Sequence, residues 1–376
     1  MYLGVARSLY LLGVIAWNRG NLTMARSLGE EALMLFREVN ETEGIASALF
    51  RVATVAGEQG EYEAARALFK ECLKMDRESG STRGLAASLW GLARLNFVSQ
   101  GDSEAIRSLL EESIALYRTI GDKGGIADCL YLSGWVVLLQ GNAAAARSQA
   151  EESILLYKEI ADRPGSAQSL SLLAEVEARQ GDRIAARALY QESLALARKG
   201  GDKLIIVSDL EGLAGIVAVQ EEPTWAARLW ATAESLREGM GMPLPPVYRA
   251  GYERSVAAAR ARLGKQVFTT AWAEGRTMTP EQVLAAPGRV ALSTQAAAGQ
   301  PATTTAKTLP TYPAGLTTRE VEVLRLVAQG LTDAQVAEQL VISPRTVNFH
   351  LTSVYGKIGV SSRSAATRYA IEQHLV

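Results

Sequence analysis

Leu9 recurs as Leu49, Leu89, Leu130, Leu170 and Leu210, at steps of 40, 40, 41, 40 and 40 residues. No other feature restricts the chain as much, because a copy of that size cannot bury its own apolar face and has to stack on the next. Three residues before these leucines stand Ala6, Ala46, Ala86, Ala127, Ala167 and Val207; four after them stand Gly13, Ala53, Ala93, Gly134, Ala174 and Ala214. Spacings of three and four, with small side chains at the crossing, predict a helix packed closely on another helix. Gly20, Gly60, Gly101, Gly141 and Gly181 are expected to end that helix by supplying a left-handed residue. A second amphipathic stretch follows each of them, as in ARSLGEEALMLFRE and ARALYQESLALARK. The unit is a helical hairpin, and residues 1–240 are expected to form an all-α solenoid of about six of them. In the sixth copy the turn glycine has become Glu221 and Pro223 has appeared, the degeneracy expected of a terminal cap.

The phase of the repeat also decides how the amino terminus reads. Ser8–Trp17 is apolar and follows Arg7, the outline of a signal peptide, yet it is the first copy of the repeat and is read as neither cleaved nor exported. The longest uncharged run, Cys129–Ala146, is broken by Gln140-Gly141-Asn142 at a repeat turn and is not a membrane span. Across 376 residues, 39 Lys+Arg against 40 Asp+Glu leave a net charge of -1. Any attraction for nucleic acid must therefore be local. Two cysteines without metal-ligand spacing fit a reducing cytosol. Both histidines, His350 and His374, lie at the far carboxy-terminal end, which weighs against a hydrolase or metalloenzyme; neither a metal nor a cofactor is expected.

Leu-x-x-Leu-Gly/Ala in the first helix and Gly-x-x-x-x-Ala-Arg after it resemble the tetratricopeptide repeat, with a period longer than that family's usual 34 or so. Directly after the repeat leucines come Tyr10, Phe50, Trp90 and Tyr131, then Ser171 and Glu211. The resemblance places the four aromatics on a concave groove for a protein, peptide or small-molecule effector. The competing reading is that they pack between neighbouring first helices. The pairs Glu30-Glu31, Glu111-Glu112 and Glu151-Glu152 recur at one position of the second helix and read as a solvated outer face. Cys72 and Cys129 stand where other copies place Ala or Ser, and read as small packing residues.

Residues 241–285 change character, with one helix expected over Tyr248–Leu263 and another over Lys265–Gly275. AWAEGR followed by MTPEQV resembles the tract that closes the repeats in large bacterial ATP-dependent LuxR-type regulators. A Gly-x-x-x-x-Gly-Lys-Ser/Thr phosphate loop is missing, so ATP dependence is not carried over. The chain is either a short relative or begins inside a longer ancestral frame. Residues 286–313, rich in Ala, Thr, Pro and Gly, read as a flexible linker.

Residues 314–376 carry the chemistry. Thr317 with Glu320 makes a capping box for a first helix stopped by Gly330, and a shorter helix spans Thr332–Leu340. After the turn Val341-Ile342-Ser343, a third helix begins with Ser343 as cap and Pro344 in its first turn; a fourth starts at Ser362. Two short helices around a tight turn are the arrangement that fits a major groove. Val347, Leu351, Val354 and Ile358 are expected to form the buried stripe of the third helix. Between Gln339 and Ile371 no acid occurs, while Arg345, Lys357, Arg363 and Arg368 do, a local phosphate-facing charge.

Leu316-Thr317-x-Arg-Glu320, Gly330-Leu331-Thr332, Val336-Ala337, Ser343, Thr346-Val347, His350, Lys357 and Arg363 together resemble the LuxR-type DNA-binding domain. The resemblance implies four helices, a recognition helix over Pro344–Ile358 and pairing of two copies through the fourth. By position it makes Asn348, Phe349 and Thr352 base-facing. It makes Arg345, Thr346, His350, Lys357 and Arg363 contacts to the backbone of double-stranded DNA; for His350 packing at the helix interface is the competing reading. Gly356 is expected to weaken the helix end by about 1 kcal/mol relative to alanine, so that it firms up only on DNA. The chain as a whole reads as a cytoplasmic transcription regulator, dimeric on DNA and without enzymatic activity. The rival is a protein-binding scaffold whose terminal module has lost DNA affinity.

Overall fold

The computed structural model describes residues 2–220, 222–286, 313–316, 318–340, 344–360, 362–373 and 375. Of the expected linker only Ala286 and Pro313 are described; Glu221, Thr317 and the turn Val341-Ile342-Ser343 lie outside the described residues. The chain divides into two compact units, one over Met1–Ala291 and the other over Leu292–Val376.

The first unit opens with six helical hairpins: α1 (Tyr2–Asn18) and α2 (Leu22–Glu38), α3 (Thr42–Glu58) and α4 (Tyr62–Ser79), α5 (Thr82–Val98) and α6 (Ser103–Thr119), α7 (Lys123–Leu139) and α8 (Ala143–Glu159), α9 (Arg163–Gln180) and α10 (Arg183–Gly200), α11 (Lys203–Val219) and α12 (Pro223–Met240). The repeat leucines from Leu49 to Leu210 are buried, whereas Leu9, whose helix has a neighbour on one side only, is half-buried. Cys72 and the serines at its position tie the second to the fifth hairpins shut. Ser113, Ser153 and Ser193 donate to the carbonyls of Ala86, Ala127 and Ala167 at 2.8–2.9 Å, and the Cys72 thiol to that of Ala46 at 3.8 Å. Burial pushes the Cys72 and Cys129 thiols up to about 12, as unreactive packing groups require. The arginine of the Ala-Arg signature joins one hairpin to the next: Arg26 to Glu61, Arg66 to Asn96, Arg147 to Glu177 and Arg187 to Glu222.

One turn departs from expectation. Gly20, Gly60, Gly141 and Gly181 adopt φ of 69°, 82°, 88° and 92°, but in the third hairpin the left-handed residue is Gln100, at φ 58°, and not Gly101. The single step of 41 places its extra residue in this turn. The left-handed position therefore stays forty residues beyond Gly60 and falls on a glutamine.

Three further helices complete the unit: α13 (Pro246–Leu263), α14 (Lys265–Thr277) and α15 (Pro280–Leu284). AWAEGR docks α14 on α12. The Trp272 indole donates to Glu234, Glu274 pairs with Arg228, and Arg276 spans Glu234 and Glu238. A Cβ at Gly275 would stand 2.4 Å from the Arg228 carbonyl oxygen, so only glycine permits this approach. Thr279 and Gln282 form a capping box on α15, and the buried Trp225 indole donates to Val283 O at 2.8 Å.

The segment between α12 and α13 returns to the early hairpins. The Gln100 side chain donates to Pro246 O at 2.9 Å, Tyr248 packs edge-on against Phe97 and Trp135, and Pro243 closes on Gly60. Ala16, Leu22, Ala25 and Val55 belong to one buried cluster with Ile205, Leu210, Trp230 and Met240.

The second unit contains α16 (Thr318–Ala328), α17 (Asp333–Leu340), α18 (Pro344–Ile358) and α19 (Arg363–Glu372). α16 sits at its centre. Val321 and Leu324 pack with Val354, Ala366 and Ala370; on the other side Val323 and Val327 pack with Val336, Ala337, Val347 and Leu351. Gly330, at φ 90°, turns the chain between α16 and α17.

Candidate functional site

The bounds of α18 coincide with the helix the sequence marks out, and it continues through Gly356 to Ile358 without interruption. Val347, Leu351 and Val354 are buried and Ile358 is half-buried, so the apolar stripe faces the unit's core. Asn348 and Thr352 lie one turn apart on the exposed side, where the Thr352 hydroxyl donates to Asn348 O at 2.9 Å. Arg345 and Phe349 are on the same helix, with side chains outside the described ones. Thr346 is buried and His350 half-buried.

The remaining motif residues tie the helices of the unit together, and Glu320 holds α18. Glu320, with a side chain only 6% exposed, accepts from Lys357 Nζ at 2.7 Å and from the Ser353 hydroxyl at 2.7 Å. Arg319 donates to Leu340 O at the end of α17, and Leu316 is buried. Arg363 pairs with Asp333 and donates to Leu331 O, and Arg368 stands near Glu372. The acid-free stretch thus acquires carboxylates from outside it: Glu320 and Asp333 meet Lys357 and Arg363. That pairing lowers the field expected from sequence alone, since each of these cations is partly neutralised by an acid tens of residues away in the chain.

The four repeat aromatics are all half-buried. Phe50, Trp90 and Tyr131 line a cavity of about 380 Å³ in the first unit; Tyr10 is not among its walls and packs against the cluster of Leu49, Phe36 and Ala6. Phe50 and Trp90 also stack on each other at 6.4 Å, so packing between first helices and lining a cavity hold together. Four residues after these three aromatics come Thr54, Arg94 and Trp135, which line the same cavity. This one-turn spacing is the signal by which sequence reading finds them. Trp17, Arg51 and Tyr248 have no such periodic mark.

The cavity's polar groups divide sharply. Its acids are engaged: Glu58 by Arg94, Glu211 by Arg237, Asp128 by the Tyr157 hydroxyl, and Asp202 by Ile205 N. Burial raises Asp128 to about 6 and pushes the Arg51 guanidinium down. Arg51 lies 4.8 Å over the Trp17 ring.

Residues 314–370 match the family described as bacterial regulatory proteins, luxR family. Residues 4–78, 44–119 and 136–199 match the tetratricopeptide repeat. A Mycobacterium bovis protein that bears the name of an HTH-type transcriptional regulator is 36% identical over 154 residues, 41% of this chain and 16% of that protein. The transcriptional regulatory protein LiaR of Bacillus subtilis is 44% identical over 61 residues, 16% of this chain and 29% of its own. The chain thus spans less than a third of either relative. Among solved structures, a Rap protein complexed with competence and sporulation factor superposes with a TM-score of 0.55 over 74% of this chain and 75% of that one, at 15% identity; the likeness is one of fold.

Proposed function

We propose that this chain, a LuxR-family helix-turn-helix module joined to tetratricopeptide repeats, is a transcription regulator that binds double-stranded DNA through α18 and takes its signal on the repeats. The observation that carries the reading is the division of α18. Its apolar stripe anchors it to α16, and Asn348 and Thr352 stand exposed on the other side, where a helix in a major groove presents its reading residues. Phe349 joins them as base-facing, with Arg345, Thr346, His350, Lys357 and Arg363 toward the phosphates. The proposed division is repeats over 1–240, a closing segment over 241–285, a linker over 286–313 and the DNA-binding module over 314–376. The protein acts in the cytoplasm, as a homodimer on DNA, without enzymatic activity. Among the described residues no helix is long and apolar enough to cross a membrane.

The pairing of Lys357 and Arg363 with carboxylates favours one rival, a scaffold that has lost DNA affinity. A gel shift of the full chain on genomic fragments decides between them. A regulator binds selected fragments with an affinity that falls steeply with salt as phosphate contacts release counterions. Absent or salt-independent binding refutes the proposal.

A further inference from the structure

Five N–H donors on residues that line the cavities of the first unit beside the returning segment have no acceptor at ordinary hydrogen-bond geometry among the described residues: Trp17 Nε1, Trp90 Nε1, Trp135 Nε1, Arg51 Nε and Arg237 Nη1; the Tyr131 and Tyr10 hydroxyls interact only weakly with Trp135 and Arg51. Buried donors are normally paired, and each one left alone is costly. Here the five gather around one space, while the carboxylates of the same wall are all engaged. Among the described residues no carboxylate forms an ion pair with Arg51. The imbalance runs one way: the wall holds surplus donors and needs acceptors.

Shape narrows the occupant further. Phe50 and Trp90 present nearly parallel rings, 24° apart, and Trp135 and Tyr248 meet edge-on at 5.8 Å. Flat apolar faces with a few polar groups between them are the usual lining of a small-molecule site, and about 380 Å³ falls in the range of such sites. The opposite wall includes Met242, Pro245 and Tyr248, so the space is bounded by the returning segment as well as by the first helices.

From this juxtaposition we propose that the cavity binds a small planar molecule bearing carboxylate or carbonyl oxygens, its ring between the aromatic side chains and its oxygens on the Arg51 guanidinium and the indole N–H groups. The proposal rests on the reading of the repeats as the signal-receiving half, and gives that reading a ligand class. The donor nitrogens are covered by neighbouring wall side chains. The ligand therefore reaches them by shifting those side chains, among them Tyr248 of the returning segment, which lies against Trp135.

The test is calorimetric titration of the full chain at neutral pH with 2-naphthoate, and with 2-naphthylmethylammonium as a cationic counterpart of similar shape. The expected result is saturable binding of the acid with a dissociation constant of about 1 mM or tighter, the value that ordinary ligand efficiency gives for so few atoms. Arg51→Gln and Trp90→Phe should each weaken it about tenfold while melting near the unchanged chain, and the amine should bind at least as much more weakly. No saturation, equal binding of acid and amine, or indifference to both substitutions overturns the proposal. If one variant fails to fold, the other carries the comparison. A gel shift with the acid at saturation separates the two levels of the argument. A change in DNA affinity supports both. Binding to the cavity with no change on DNA keeps the ligand site and removes its role as input.

Discussion

Lys357→Ala tests whether the family's basic position serves the DNA, the fold, or both. Removing Lys357 leaves the Glu320 carboxylate, 6% exposed, without the ammonium now 2.7 Å away. Breaking a fully buried pair from one side costs about 3–5 kcal/mol. Lys357 keeps 35% of its side chain in water, and Ser353 still donates to the carboxylate, so the expected loss is about 1–3 kcal/mol. Hydrogen exchange of the α18 amides in the full chain reads this directly, because it isolates the second unit from the larger first one. Glu320→Gln in the same chain removes the stranded charge and should recover most of the loss, which makes the pair a measurable coupling in a double-mutant cycle. Titration on DNA then assigns the remainder. A phosphate contact flattens the salt slope by about one unit, whereas an effect through folding lowers affinity and leaves the slope alone. A coupling below about 0.5 kcal/mol, with α18 exchange unchanged, would refute the claim that Glu320 holds this helix through Lys357.

Other expectations are separable from that one. Asn348→Ala and Thr352→Ala should each change the preferred sequence, with about 1–3 kcal/mol of discrimination removed at the base each one reads, when bound duplexes are selected from a randomised pool; a proportional weakening on all sequences removes them from the base-facing set. Gly275→Ala should part α14 from α12, with a cost of about 1–3 kcal/mol or more, because the new Cβ meets backbone at 2.4 Å; wild-type urea unfolding would contradict this. Burial holds the Asp209 carboxyl at about 7 against an ordinary 3.8. The folded chain therefore keeps a proton that the unfolded chain has lost, and stability falls as pH rises from about 4 to about 7, by up to about 4 kcal/mol, then levels off. Asp209→Asn should flatten this window, as read by denaturant midpoints across it; an unchanged slope would place the titration elsewhere.

Periodic features were legible because one physical constraint repeats: Leu49 to Leu210 mark the buried line, and the small residues around them mark the crossings. The ends of α18 were legible for a local reason, a proline in its first turn and a polar side opposite Val347, Leu351 and Val354. What escaped has no local mark. The partner of Lys357 is 37 residues away, outside the stretch whose charge was counted, and nothing between them is periodic. Trp17, Arg51 and Tyr248 come to the cavity from different points of the chain, Tyr248 through a fold-back that no spacing encodes. The left-handed Gln100 was hidden by a glycine next to it.

The hydrogen bond between Gln100 and Pro246 spans 146 positions of the chain, and it changes what kind of object the repeats make. In an open solenoid each hairpin answers only to its neighbours, so the array frays from its ends and tolerates the loss of a terminal copy. Here the sixth hairpin and the segment after it rest on the first, second and third, as Met240 near Gly20, Pro243 near Gly60 and Tyr248 against Phe97 record. The last hairpin is tied back onto the first three, so the carboxy-terminal end of the line is not free to fray. Such a unit should melt in one step and fold slowly, because its last-made interactions must wait for the longest loop to close. Cutting away α13 to α15 removes the Pro246 and Tyr248 contacts and should loosen α5, far away in sequence, along with the helices beside the cut.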